Sequence, residues 1–259
     1  MDGQTENDRG RILLTLDGPP GEIAAKGLQK ALDHLMVLVR DAGKVLGVSG
    51  GEWRLFRLEL GSAMAGIENP AALGVPLLID QGQSELAESA VIPRGWTLAM
   101  LRADRDLGLL AGKLGIHAVR LDAGRDRTLS GAIAANADLA LQVKHRSLGT
   151  VRGRLDKYSS RNGHRDLGML LDTGDPLAVT FSSDDLGKKA RGLLETDVVA
   201  WGLVERNVAQ QRIALRLEGI EAAPARGLPV PLHDVVGLYA DLFPGMTAEE
   251  IVKAVRGNG

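Results

Sequence analysis

Not one of the 259 residues is a cysteine. That absence excludes disulfides, thiolate metal sites and a cysteine nucleophile, and it fits a reducing compartment. Aromatic side chains are scarce, at 3% of the chain, so a surface that stacks nucleic-acid bases has little material to work with. Neither sign of charge dominates: 31 Lys and Arg face 33 Asp and Glu, for a formal net charge of -2. Wholesale attraction to nucleic acid or to a membrane is thereby disfavoured, while local patches remain open. No apolar run approaches the ~18 residues that a membrane-spanning helix needs; the longest candidate, residues 31–46, is interrupted by Asp33, Arg40, Asp41 and Lys44. The opening stretch, MDGQTENDRG, is polar and acidic with no apolar core of the signal-peptide kind. A soluble, cytoplasmic protein with a flexible segment over residues 1–10 is expected.

Motifs of catalysis are equally sparse. There is no G-x-x-x-x-G-K-[ST] phosphate loop, no G-x-G-x-x-G between a strand and a helix, and no H-E-x-x-H. The five histidines (His34, His117, His145, His164, His233) are scattered, and no metal or cofactor is expected. Gly47 to Gly51, GVSGG, spells a G-x-S-x-G nucleophile motif. That motif needs a strand before the serine and a helix after it; here the order is reversed, so a helix-to-strand turn explains it and a hydrolase centred on Ser49 is a distant reading. The acid pairs Asp104/Asp106 and Asp122/Asp126 lie near arginines and read as surface ion pairs. Asp184 and Asp185 stand where a helix begins and complement its dipole. No catalytic residue is assigned.

What is present is a clear alternation of elements. RILLTLDG reads as a strand with Ile12, Leu14 and Leu16 on one face, followed by helical spacing over residues 21–46. EWRLFRLELGSAMAGIE reads as one bent strand or a tight pair, with Phe56, Leu58 and Leu60 dense in apolar area. An irregular helical stretch and a clearer helix over 97–114 come next, then the short strand HAVRL and a helix from Ser130 to about Val143. This half lacks the regular alternation of a doubly wound parallel sheet.

The last third is cleaner. In TVRGRLDKY, Val151, Gly153 and Leu155 face one way, and Arg152, Arg154 and Asp156 the other. DLGMLLD and LAVTF follow as strands. Ser183 or Asp184 then caps a short helix that turns Leu186, Ala190, Leu193 and Leu194 inward. DVVAWGLVE and RIALRLEGIE close the set. Three strands, a helix and two strands is the element order of an OB-type barrel, with a ferredoxin-like or other small barrel as alternatives. The expected fold is therefore α+β, with a mixed region over 11–147, an OB-like antiparallel β-barrel over 148–223, and a proline-rich linker with a C-terminal helix over 224–259.

Two surfaces are candidates for binding. Arg152, Arg154, Lys157, Arg161 and Arg165 surround one acid, Asp156, with Tyr158 at the loop edge. Such a patch can track the phosphates of single-stranded nucleic acid, or it can simply keep a hairpin edge soluble. Residues 148–223 carry balanced charge, which weakens the first reading. In the tail, Thr247 and Glu250 form a capping box, and Ile251, Val252 and Val255 make an apolar stripe beside Lys253 and Arg256. A helix this short packs either on its own chain or in a partner's groove.

The run GTVRGRLDKYSSRNGHRDLGMLLD, then LAVTF, DVVAWGLVERN and RIALRLEGIE, with a terminal AEEIVKAVRG, resembles a family of uncharacterised prokaryotic proteins in which an α+β region precedes a small β-barrel. The resemblance implies no catalytic residues and an association with toxin–antitoxin modules. Under it the chain would be a non-catalytic, antitoxin-like partner of a PIN-type nuclease toxin, with Lys253 and Arg256 set against the enzyme's carboxylates. A single-stranded nucleic-acid-binding protein is the alternative.

Overall fold

The first strand, β1 (Arg11–Asp17), alternates as its sequence demands, with Ile12, Leu14 and Leu16 buried. A turn whose Gly21 adopts φ +81° delays the following helix, so α1 spans Ala25–Val45 rather than starting at residue 21. The structure is a computed structural model that describes residues 10–48, 52–60, 63–129, 131–161 and 164–224. The chain divides into two compact units, Met1–Ala222 and Ala223–Gly259, and all the elements below belong to the first. The predicted C-terminal helix and Ser49 lie outside the described residues.

After α1 come β2 (Arg54–Leu60), β3 (Ala63–Glu68), α2 (Gly74–Glu88), α3 (Leu98–Gly108), β4 (Ala118–Asp122), β5 (Asp126–Thr128) and α4 (Ala132–Leu141). Sequence spacing carried α3 on to residue 114; it stops at Gly108, where an added Cβ would press on the Leu129 carbonyl and Ala134. Left-handed residues at Gly112, Leu114 and Gly115 then turn the chain into β4. The five strands form an antiparallel sheet in the order β2-β3-β1-β4-β5. One hydrophobic cluster joins Leu14 and Leu16 of the sheet to Leu35 of α1, Ile79 of α2, Met100 of α3 and Ala137 of α4. Trp96, 1% exposed, fills the angle beside α2: its indole donates to the Leu78 carbonyl at 3.0 Å and its ring lies on Gly82.

The second sheet uses β6 (His145–Arg161), β7 (His164–Leu171), β8 (Pro176–Thr180), α5 (Asp184–Gly192), β9 (Asp197–Arg206) and β10 (Arg212–Ala222). β6 starts three residues earlier than expected because residues 145–148 pair with β9. The strands close into a ring, β6-β7-β8-β10-β9, in which β8 and β10 run parallel and every other pair is antiparallel. The predicted alternation holds: Val151, Leu155, Leu167, Met169, Val179, Val198 and Leu215 fill its interior. Ser183 caps α5, its hydroxyl accepting from the Asp185 amide at 3.2 Å. Gly202 adopts φ +155° because its backbone passes against the Arg216 carbonyl, leaving no space for a Cβ.

Two side-chain amides tie the ring to the helices. Gln211 accepts from the Ile92 amide (2.7 Å) and donates to the Ile92 carbonyl (2.9 Å), and the fully buried Asn207 donates to the Ala140 carbonyl closing α4 (3.2 Å). No described helix is long and apolar enough to cross a membrane.

Candidate functional site

The segment Arg54-Leu-Phe-Arg-Leu-Glu-Leu60 has the composition of a core strand, yet it forms an edge. β2 pairs with β3 on one side, and among the described residues no strand pairs with the other. Leu55, Leu58 and Phe56 are 55%, 51% and 40% exposed, so the expected dense apolar packing of Phe56 and Leu58 is incomplete. A register shift between Leu55 and Arg57 kinks the strand. Phe56 lies over Gly66 of β3, and the Arg11 guanidinium sits 4.7 Å above its ring. Arg11 is itself held by Glu68 at 2.9 Å. Leu58 faces Ala65, on the same side as the buried Leu14, while Arg57 and Glu59 lie on the opposite side and pair at 2.7 Å.

The other end of this sheet is built differently. β5 has three residues, and its central one, Arg127, is drawn to Asp80 at 2.8 Å. Arg120 of β4 bridges Asp17 (2.8 Å) and Asp126 (2.6 Å); these hydrogen bonds, Asp17 first, hold its guanidinium above its ordinary pKa. A short, charged edge of this kind resists strand addition.

Three of the basic residues predicted on the ring have described side chains: Arg152, Arg154 and Lys157, all on β6. Arg152 approaches Asp172 at 3.8 Å, while Arg154 and Lys157 are exposed. Tyr158 is half-buried, its ring 6.1 Å from that of Phe181 and 4.7 Å beneath the Arg191 guanidinium, which also donates to its hydroxyl at 3.0 Å. The side chains of Arg161 and Arg165, and all of Ile251, Val252, Lys253, Val255 and Arg256, lie outside the described residues. The outward side chains of β7 and β8 include Asp166, Leu170, Ala178 and Thr180, and the Asp156 carboxylate lies across Gly168. None of these is aromatic.

One carboxylate that sequence reasoning placed on the surface is enclosed instead. Asp104 is 0% exposed, and Gln83 donates to its Oδ1 at 2.8 Å. Desolvation, opposed by that hydrogen bond, pushes the Asp104 carboxyl up to about 7. Gln83 Oε1 and Asp104 Oδ2 are both buried without a partner. The signal was present in the spacing: position 104 lies on the stripe of Met100, Leu101 and Leu107. Asp106 does make the expected ion pair, with Arg105 at 2.8 Å.

Concave surfaces lie elsewhere. A cavity of about 310 Å³ opens between Ile92, Trp96, Asp175, Arg206 and Arg212. A shallower cleft of about 500 Å³ is lined by Lys26, Lys30, His34 and Lys113. No group of three or more His, Cys, Asp or Glu side chains that could hold a metal ion occurs among the described residues. No protein-family model matches the chain, and no curated protein matches it in sequence.

Proposed function

We propose that the protein is a non-catalytic binding protein whose working contact is with another polypeptide, made by strand addition at β2. The observation that carries this reading is a seven-residue strand whose outer edge is open among the described residues, with apolar side chains exposed on both faces. Exposed apolar strands of this kind are pairing templates, and main-chain hydrogen bonds with side-chain contacts give such additions their affinity and specificity. A nuclease toxin, the partner implied by the family resemblance, is one protein such an edge would serve, with the terminal segment as a second contact.

The ring is read as an OB-like barrel. Its order runs first, second, third, fifth, fourth in chain sequence, with a parallel contact between third and fifth and a helix between third and fourth. That arrangement, with Arg154, Lys157 and Arg216 exposed, favours single-stranded nucleic acid as the second reading. Asp156 and Asp166 on the same outer surface, and the engagement of Tyr158 by Arg191, count against it.

One experiment separates the two. A photo-cross-linking amino acid placed at Leu58, with Leu148 (74% exposed) as the control position, is activated in native-cell extract. The expected result is a discrete protein adduct from position 58 alone. Equal labelling from both positions, or none from 58, overturns the strand-addition reading, and an adduct that nuclease digestion collapses carries the second reading instead.

A further inference from the structure

Resting on the strand-addition reading, we infer that the polypeptide β2 accepts is a second copy of this chain, paired antiparallel about a two-fold axis at Leu58, so that two five-stranded sheets become one of ten strands. Side chains alternate between faces, and a two-fold axis through an antiparallel strand pair keeps each face on its own side. One residue must therefore sit opposite its own copy. The choice of that residue decides every other pair, because a slip in register re-pairs the whole strand.

Charge selects among the alternatives. Centring on Arg57 sets guanidinium against guanidinium, and centring on Glu59 sets carboxylate against carboxylate; like charges directly opposite destabilise a sheet. Centring on Phe56 places Arg57 opposite Leu55 and Arg54 opposite Leu58, matching no charge. Centring on Leu58 sets leucine on leucine and pairs Arg57 with Glu59 of the second copy, twice. The existing Arg57–Glu59 contact within each chain, 2.7 Å long, then becomes one side of a four-charge cluster on one face of the sheet. On the other face, the uncovered half of Leu58 meets its own copy. The register shift lies between Leu55 and Arg57, outside these three central pairs, and the pairing of residues 57–60 with β3 is regular. Self-complementarity of one patch is what an isologous dimer requires.

The test exploits the fact that Arg57 and Glu59 swap partners across the axis. The full-length chain is examined by light scattering during gel filtration at micromolar concentration, as wild type, as R57E and as E59R. Both positions are exposed, so folding is checked by far-UV circular dichroism and is expected to be unchanged. Wild type is expected at twice the chain mass. R57E puts two acids on the strand and E59R two bases, so each alone is expected to weaken self-association on the order of tenfold or more. Mixed in equal amounts, the two variants are expected to recover a one-to-one dimer, because each charge then meets its opposite only across the interface.

A monomeric wild type, or single variants that dimerise as wild type does, overturns the inference. So does a mixture that stays monomeric. A monomer whose Leu58 adduct maps to residues 225–259 of the same chain assigns the edge to the tail and also overturns it. A monomer whose adduct is a different protein overturns the self-pairing and leaves the proposed function standing, whereas no adduct at all overturns both.

Discussion

Asp104 is a residue whose protonation and folding are one event. With its carboxyl at about 7 against 3.8 in an open chain, the folded state holds a proton that the unfolded state has released across that interval. Stability therefore falls as pH rises from about 4 to about 7 and levels off above, the reverse of the usual carboxylate. The contribution is bounded at roughly 4 kcal/mol. A proton on Oδ2 turns one of the two buried orphan acceptors into a donor. D104N supplies the same donor permanently. Its melting temperature is expected to show a smaller decline between pH 4 and 7 than that of wild type; superimposable pH profiles would exclude Asp104 as the titrating group. Sequence reasoning missed the residue because it weighed Asp104 by charge type beside neighbouring arginines and not by its place on the apolar stripe of α3.

Elements were legible where inside and outside differ chemically. The ring strands alternate because each has a filled interior and a wet exterior, so Val151 and Leu155, or Leu177 and Val179, declare their face. β2 misled for the same reason: Phe56 and Leu58 look like core residues, and nothing local records that they are 40% and 51% exposed. β5 was invisible, since three residues carry no period. Packing also outranks propensity in α2, where Gly82 sits mid-helix under the Trp96 ring. Alanine there gains about 1 kcal/mol of helix propensity, but its Cβ would collide with Trp96 Cε2 and Nε1, and overpacking costs ~1–3 kcal/mol. Displacing the ring would also strain the indole bond to Leu78. G82A is expected to unfold at lower urea than wild type by urea titration; a higher midpoint would show that the indole yields freely.

At the scale of the whole molecule, the attachment of ring to helices could not have been read from the chain, because it joins residues 119 positions apart. Gln211 meets Ile92 as a neighbouring strand would, one donor and one acceptor, and Asn207 closes the last turn of α4. Q211A is expected to speed hydrogen exchange at the Ile92 amide about tenfold, the equivalent of ~1.4 kcal/mol; unchanged exchange would assign the protection to packing alone. The five-stranded sheet also has unequal ends, β2 long and apolar, β5 three residues long and charged. Self-pairing through the β2 edge consumes the receptive end of both copies and presents a blunt one at each extremity. Such a molecule has a valence of one: it can couple but not polymerise, and the geometry that invites a second chain refuses a third.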